Sequence, residues 1–186
     1  MATIVVLNGS SSVGKTSTAR ALQRIARDHF LHVQMDAFME MMPERIWTED
    51  GGIAFEQRQV AGHTEVEITT GPKFEKVMQG MRQSVAALAE AGNNCIVDDV
   101  MLGADDQQAY RKTMGENSLF FVGLHAPLAV IEEREKARGD RMPGLARWQI
   151  DRVHAGREYH AEIDTAEMSP EEAAVDIAER LAIPCL

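Results

Sequence analysis

Residues 9–16 read GSSSVGKT and match the pattern G-x-x-x-x-G-K-[ST], between an apolar run and a segment with helical spacing. Glycines at both ends allow the backbone to curl so that successive N–H groups point at a phosphate. Lys15 is predicted to bridge β and γ oxygens, and the Thr16 hydroxyl to bind Mg²⁺. The predicted nucleotide-binding residues are Gly9, Ser10, Ser11, Ser12, Val13, Gly14, Lys15, Thr16 and Ser17.

Two adjacent carboxylates follow the short apolar run Cys95–Val97. Asp98 has the form of a carboxylate that a neighbouring strand places beside the phosphate loop, where it can hold Mg²⁺ directly or through water. Side chains alternate along a strand, so only one of the pair can face the metal. We therefore assign Asp98 to the metal and keep Asp99 as a possible residue of an acceptor site.

A third carboxylate, Asp36, ends the apolar run Phe30–Met35. In a doubly wound sheet the carboxyl ends of the strands face the ligand crevice. Asp36 could therefore act as a catalytic base that accepts the proton of an attacking hydroxyl during phosphoryl transfer. The residue types alone equally allow Asp36 to cap a short helix over residues 37–42.

Arginines cluster around the stretch RGDRMPG at residues 138–144, which could form a small lid. Forked guanidinium groups suit a triphosphate or a phosphoryl group in transit, so Arg134, Arg138 and Arg141 are candidate catalytic residues. For Arg134, a solvated helix face with ion pairs to the neighbouring glutamates explains the pattern nearly as well.

Apolar side chains adjoin Asp36, namely Phe38, Met39 and Met42. They could line a pocket for an apolar or aromatic acceptor, because methionine surfaces adapt to irregular ligands, or they could be ordinary core residues. His125, His154 and His160 show no metal-binding spacing, and we expect them to be surface or core residues.

Short apolar runs alternate with segments of helical periodicity along most of the chain. This alternation predicts an α/β fold: a three-layer, doubly wound sheet of about five parallel strands with helices on both faces. The predicted strands are Ile4–Asn8, Phe30–Met35, Cys95–Val97, Leu119–Leu124 and Ala161–Asp164. Ser169 and Pro170 predict the start of the last helix.

The 186 residues suit one domain over 1–186, with an irregular acceptor-side insertion at about 43–72 and the lid at about 138–144. The net charge of −10 disfavours a nucleic-acid partner. No apolar run reaches the length of a membrane helix and no signal peptide is evident, so we expect a cytoplasmic protein without a membrane partner. Because the cytoplasm is a reducing compartment, we expect no structural disulfide between Cys95 and Cys185. The sequence does not indicate an oligomeric state.

With these residues identified, the chain resembles the chloramphenicol phosphotransferase family of small P-loop kinases. The resemblance rests on VLNGSSSVGKTS, MDAFMEMMP, the GGI at Gly51–Ile53, IVDDVMLG, EREKARGDRMPG and VHAGREYHAEIDT. It implies transfer of the γ-phosphoryl group of ATP, with Mg²⁺, to a primary hydroxyl of chloramphenicol. It also implies Asp36 as the base, Lys15 and Thr16 at the phosphates and metal, and lid arginines at Arg134, Arg138 and Arg141. The stretch 54–72 is longer and more polar than the family pattern.

Two other functions fit the phosphate loop. A kinase of another metabolite or a nucleotide would need arginines to grip an anionic acceptor. Only Arg45 and Arg58 lie between residues 38 and 72, which favours a small neutral hydroxyl acceptor. A nucleotide-dependent switch without acceptor chemistry is the other alternative, although the N-K-x-D pattern of a guanine-selective switch is missing from the sequence.

Overall fold

The computed structural model describes residues 1–47, 49–139 and 142–186. Five parallel strands form the central sheet in the order β2–β5–β1–β6–β7, and two antiparallel strands form a separate hairpin. The strands are β1 Thr3–Asn8, β2 Phe30–Gln34, β3 Ile53–Val60, β4 His63–Thr70, β5 Asn94–Asp99, β6 Ser118–His125 and β7 Ala161–Asp164. The central strands β1 and β5 are almost entirely buried and have apolar middles, Ile4–Leu7 and Cys95–Val97, as expected for parallel strands covered on both faces.

Within the part of the chain that the structure describes, seven α-helices connect or flank the strands. They are α1 Lys15–Ile25, α2 Met35–Glu40, α3 Pro72–Glu90, α4 Asp106–Met114, α5 Leu128–Arg138, α6 Leu145–Ile150 and α7 Pro170–Arg180. The predicted start of the last helix is confirmed: Ser169 caps α7, Pro170 is its first residue, and Glu172 completes a capping box. The predicted lid at 138–144 begins at the last residue of α5 and ends one residue before α6, and its residues 140 and 141 lie outside the described residues.

Two hydrophobic layers enclose the sheet, so the predicted three-layer fold is confirmed. On one face, Leu22 of α1 and Ile177 of α7 are fully buried against the strands. On the other face, Met81 of α3 and Tyr110 of α4 are fully buried. Because β1 lies in the middle of this sheet, the loop that follows its last residue opens at the centre of the crevice formed by the strand ends.

Most of the described part of the insertion at 43–72, predicted as irregular, is instead a short 3₁₀ helix and a β-hairpin, which corrects that expectation. A 3₁₀ helix, Glu44–Trp47, precedes the hairpin of β3 and β4. Ala61 and Gly62 connect the strands with positive φ angles of 50° and 83°, as a tight type I′ turn requires. The alternating pattern was missed because only a few apolar residues mark the inner face of the hairpin, while the rest of both strands is polar.

Within the described residues, no helix is long and apolar enough to cross a membrane. The thiols of Cys95 and Cys185 are both free.

Candidate active site

The phosphate loop leaves β1 at Asn8 and enters α1 at Lys15. Gly14 has φ +109°, in the left-handed region that favours glycine, and Gly9 packs so closely that an added Cβ would lie 2.7 Å from Leu124 O. Lys15 Nζ donates hydrogen bonds to Gly9 O at 2.9 Å and Ser10 O at 3.0 Å. The lysine therefore folds back over the loop that it terminates, with only 8% of its surface exposed.

Three serine hydroxyls line the first half of this loop. The Oγ atoms of Ser10, Ser11 and Ser12 are buried, and no described residue hydrogen-bonds to them. Buried polar atoms normally have partners, because an unmade hydrogen bond costs about 1–3 kcal/mol. Ser11 and Ser12 also line the cavity beside the N-terminus of α1, a place that fits the oxygens of a phosphate group.

Thr16 and Asp98 join the start of α1 to the end of β5. Thr16 Oγ1 donates a 2.5 Å hydrogen bond to Asp98 Oδ2, and Lys15 Nζ lies 3.9 Å from Asp98 Oδ1. Burial by itself would raise the pKa of Asp98, but the neighbouring His32, Lys15 and Thr16 side chains hold it below its usual value. A hydroxyl beside an ionised carboxylate is a set of oxygen donors that fits Mg²⁺.

Asp99 uses different partners from its neighbour. Its Oδ2 accepts a 2.7 Å hydrogen bond from Tyr110 Oη, and its Oδ1 accepts one of 2.7 Å from Val100 N. Burial raises the pKa of Asp99, in contrast to the lowered pKa of Asp98. The expected alternation along β5 is therefore present, with only Asp98 bonded to the first turn of α1.

A cavity of about 470 Å³ connects the phosphate loop with the hairpin. One wall contains Ser11–Thr18 of the loop and α1, together with Asp98 and Asp99. Opposite parts of the lining come from α2, the hairpin and α3, and include Asp36, Met39, Ile53, Phe55, Ile68, Phe74 and Met78. A volume of this size is typical of small-molecule sites.

Helix α2 divides its residues between this cavity and the core. Asp36 and Met39, three positions apart, line the cavity, whereas Phe38 and Met42, four positions apart, do not. Met42 is only 7% exposed in the hydrophobic core, and Phe38 packs against the same core. The expectation that Phe38 and Met42 line an acceptor pocket is therefore corrected.

Asp36 is the second residue of α2 and does not cap it. The helix begins at Met35, two residues earlier than the capping alternative required, and its N-cap residue is Gln34. The capping alternative is therefore wrong. The carboxylate of Asp36 instead belongs to the lining of the cavity that also contains the phosphate loop.

Arg134 ties α5 to the phosphate loop. Its Nη1 donates to Val13 O at 3.3 Å and to Thr165 Oγ1 at 3.1 Å, and its Nη2 donates to Thr165 O at 2.6 Å. Thr165 Oγ1 donates in turn to Val13 O at 2.7 Å. The solvated-face alternative for Arg134 is therefore wrong, because the guanidinium points inward to backbone and hydroxyl oxygens.

The remaining candidate arginines lie at the end of α5 and beyond it. Arg138 is the last residue of α5 and lines the cavity. Arg141 lies outside the described residues. Two of the glutamates near these arginines have other partners: Glu132 pairs with Arg147, and the buried Glu135 accepts hydrogen bonds from Gly144 N and Ala146 N, both at 2.9 Å.

Sequence reasoning missed an ionic pair on the acceptor side of the cavity. Arg82 of α3 is only 8% exposed, and its Nη1 lies 3.5 Å from Asp106 Oδ1 of α4. Burial, followed by the charge of Asp99, raises the pKa of Asp106 to about 6. The available signal was the position of Arg82 four residues after Met78, on the apolar stripe of α3.

Two more missed residues support the loop from outside it. Gln149 of α6 accepts a 2.6 Å hydrogen bond from Ser11 N, and Thr165 follows the end of β7 by one residue. Both line the cavity. No local pattern in the sequence marks either residue, because each reaches the loop only through the packing of its own element.

Three comparisons place the chain among known proteins. A relative from Mycobacterium tuberculosis named "Putative O-phosphotransferase" is 28% identical over 186 residues, which cover 95% of this chain and 80% of that protein. The solved APS kinase of Mycobacterium tuberculosis has a TM-score of 0.68 at 15% identity, with 97% of this chain and 98% of that chain covered. A sugar kinase from Janibacter sp. HTCC2649 has a TM-score of 0.66 at 21% identity, with 98% and 96% covered.

These structural likenesses show the fold of a P-loop kinase. The family comparison extends over nearly the whole chain: the model described as "Chloramphenicol phosphotransferase-like protein" matches residues 2–182, a span that includes the phosphate loop, Asp36 and Asp98. The chain is thus a small-molecule kinase that belongs to the chloramphenicol phosphotransferase-like family.

Proposed function

We propose that this enzyme transfers the γ-phosphoryl group of ATP, with Mg²⁺, to a hydroxyl of chloramphenicol or a similar small neutral molecule. The observation that carries the proposal is the shared cavity. Asp36 lines the same space as Lys15, Thr16 and Asp98, so one wall suits a nucleotide and another offers a carboxylate to an acceptor. Modification of an antibiotic hydroxyl would make the reaction a means of resistance.

The lining of the acceptor side favours a molecule with an apolar part and no negative charge. Met39, Phe55 and Phe74 supply apolar and aromatic surface. Among the described residues there, Arg82 is the cation, and it lies 3.5 Å from Asp106 and interacts electrostatically with Asp99. Because Asp36 adds a further carboxylate, an anionic acceptor would meet more negative than positive charge. The charge balance thus supports the neutral acceptor inferred from the sequence.

Asp36 is the proposed base. The transition state of phosphoryl transfer is loose, so a carboxylate in this position mainly orients the acceptor hydroxyl and receives its proton late. Lys15, at the N-terminus of α1, would neutralise phosphate oxygens, and Arg134 would keep Val13 in place beneath them. Arg138 lines the cavity and is the described lid residue suited to a phosphoryl oxygen; Arg141 keeps the same role as a prediction from sequence.

Thr16 and Asp98 are the proposed Mg²⁺ ligands. A bound Mg²⁺ would neutralise the charge on the phosphate oxygens and orient them for transfer. The hydrogen bond from Thr16 to Asp98 keeps the hydroxyl and the carboxylate adjacent. The lowered pKa of Asp98 keeps that carboxylate ionised at neutral pH, as a metal ligand requires.

The nucleobase would lie at the end of the cavity formed by the segment after β7. Thr165, Met168 and Ser169 line this end, and Thr165 hydrogen-bonds to Val13 of the loop. The hairpin lines a different part of the cavity, through Ile53, Phe55 and Ile68. The acceptor and the nucleobase would therefore occupy different parts of the cavity.

The test is mass spectrometry of chloramphenicol, and of a panel of other hydroxyl-bearing antibiotics, nucleosides and sugars, after incubation with the enzyme and Mg²⁺·ATP. We expect chloramphenicol to gain one phosphoryl group. Asp36→Asn should lower the rate by about 10²–10⁴-fold and leave ATP binding intact. Glu40→Gln is the matched control, because Glu40 lies on the same helix, is exposed and does not line the cavity.

The other outcomes separate the alternatives. Phosphorylation of a different panel member alone would keep the reaction and replace the acceptor. ATP binding without modification of any panel member would favour a nucleotide-dependent switch. Equal loss of ATP binding and transfer in Asp36→Asn would contradict the role given to Asp36.

A further inference from the structure

Gln149 is a buried polar residue whose side chain is only partly used by the protein. It is 3% exposed and lines the cavity. Its Oε1 accepts the 2.6 Å hydrogen bond from Ser11 N, which fixes the orientation of the amide because an N–H donor requires the oxygen. Among the residues that the structure describes, none accepts a hydrogen bond from Nε2. Two amide hydrogens therefore remain for a ligand.

The phosphate loop has a nucleobase end and an acceptor end. Val13 O receives hydrogen bonds from Thr165 and Arg134, next to the segment that follows β7. Ser11, two residues earlier, is bonded instead to α6. The start of α6 adjoins the hairpin, because Val66 N donates a 3.0 Å hydrogen bond to Gly144 O. Gln149 thus meets the loop on the side of the acceptor.

A phosphoryl group that moves to an acceptor must lie between the inner phosphates and that acceptor. The side of the loop next to Ser11 meets this requirement, because Ser11 and Gln149 both line the cavity. Amide hydrogens are donors suited to phosphate oxygens. A diphosphate, bound by the N-terminus of α1, would leave the amide nitrogen of Gln149 unused.

The position of Gln149 is fixed by the contacts that hold the start of α6. The carboxylate of Glu135, 4% exposed, accepts hydrogen bonds from Gly144 N and Ala146 N at the start of α6. The hairpin contact at Gly144 holds the same helix from the other side. A donor fixed in advance in this way adds to binding because little ordering is needed when the ligand arrives.

We propose that Gln149 recognises the terminal phosphoryl group: its amide oxygen holds Ser11 N–H while its amide nitrogen donates to a γ-phosphate oxygen. The proposal rests on the nucleotide-binding part of the proposed function. Gln149 therefore distinguishes a nucleoside triphosphate from a diphosphate, so that the spent nucleotide is bound less tightly than the substrate.

The test compares the Kd of ADP with the Kd of a non-hydrolysable ATP analogue by calorimetry, in the wild type, Gln149→Glu and Gln149→Met. Glu keeps an oxygen for Ser11 N–H and loses the amide donor. Met loses both groups and adds no charge. In both variants we expect the preference for the triphosphate over ADP to fall about 10- to 100-fold, the effect of losing one hydrogen bond to a charged group.

In Gln149→Glu, ADP binding should stay within about threefold of the wild type, because the bond to Ser11 is kept. Equal weakening of both nucleotides would mean a purely structural role and would overturn the proposal. A lowered preference in Gln149→Glu alone would indicate repulsion by the added charge and would overturn it too. A wild type that binds neither nucleotide would refute the proposed function itself, and the inference with it.

Discussion

Thr16 Oγ1 lies 2.5 Å from Asp98 Oδ2, so the first turn of α1 is hydrogen-bonded to the carboxyl end of β5. The neighbour of Asp98 in sequence, Asp99, is bonded to Tyr110 on α4 instead. Two adjacent carboxylates therefore belong to two different networks. The pKa of Asp98 is lowered and that of Asp99 is raised, which suits the first to a cation and the second to hydrogen bonding within the protein.

Replacing Asp98 should therefore affect the metal requirement. We expect Asp98→Asn to lower kcat/KM by about 100-fold or more and to raise the Mg²⁺ concentration for half-maximal rate, because a neutral amide binds Mg²⁺ weakly. The measurement is a Mg²⁺ titration at fixed nucleotide. Asp99→Asn serves as the comparison and should mainly lower the melting temperature. An equal shift in Mg²⁺ requirement in the two variants would exclude the assignment.

The support of the loop by Arg134 gives a second prediction. A lysine cannot donate to Val13 O and to both oxygens of Thr165 at once, since it lacks the planar fork of arginine. Arg134→Lys should raise the KM for ATP about 10-fold and change the KM for the acceptor little. Steady-state kinetics with each substrate varied in turn measures this.

Arg147→Lys is the matched control for that experiment. Arg147 is paired with Glu132 near the surface at 2.7 Å, and exposed ion pairs contribute only about 0–1 kcal/mol. This variant should keep both KM values. If Arg134→Lys raises the two KM values equally, the arginine stabilises the whole cavity rather than the nucleotide side.

The hairpin leads to the reverse prediction, in which the KM for the acceptor changes and the KM for ATP does not. Phe55 lines the cavity and stacks on Trp47 with ring centroids 6.1 Å apart. Phe55→Ala should raise the acceptor KM about 10-fold or more through lost apolar contact, with the KM for ATP unchanged. Val60→Ala, on the same strand but exposed and outside the cavity lining, should change neither. A rise in the KM for ATP alone would remove the hairpin from the acceptor site.

The sequence was most informative where one segment contains both the chemistry and the structural pattern. The phosphate loop, the carboxylates at the ends of β2 and β5, and the capped start of α7 could all be located within a residue or two. Each depends on local geometry, which residue types determine through backbone conformation, strand alternation and capping.

Several residues that reach the cavity from distant elements could not be identified from the sequence. Arg82, Gln149 and Thr165 reach the cavity from α3, α6 and the segment after β7, and nothing in their immediate neighbours differs from an ordinary helix or loop. The hairpin was missed because alternating apolar residues mark only part of β3 and β4, and the rest of both strands is polar. Such features depend on which elements pack together, which a single sequence does not record.

Acid should destabilise the protein through His154. Asn8 Nδ2 donates to Tyr159 Oη at 2.6 Å, so the hydroxyl hydrogen of Tyr159 is left to donate to His154 Nδ1 at 2.8 Å. Nδ1 is therefore unprotonated. Burial, followed by the charge of His125, whose ring stacks 3.9 Å away, lowers the pKa of His154 to about 4 from its usual 6.5.

The sign of the effect follows from the two pKa values. As the pH falls below 6.5 the unfolded chain takes up a proton at this residue before the folded protein does, so stability is lost between pH 6.5 and pH 4. His154→Asn cannot titrate, and its Oδ1 can accept from Tyr159. Between pH 7 and 4.5 the wild type should lose about 1–2 kcal/mol more than this variant, since part of the ring contacts solvent.

Urea denaturation at several pH values measures this difference. His29→Asn is the control, because His29 is exposed, and its unfolding free energy should follow the wild-type pH dependence. If the His154→Asn curve also follows the wild type, the bond from Tyr159 to Nδ1 does not keep the imidazole neutral. A flatter curve would show that the strand end that carries the phosphate loop is joined, through Asn8 and Tyr159, to a histidine that must stay uncharged.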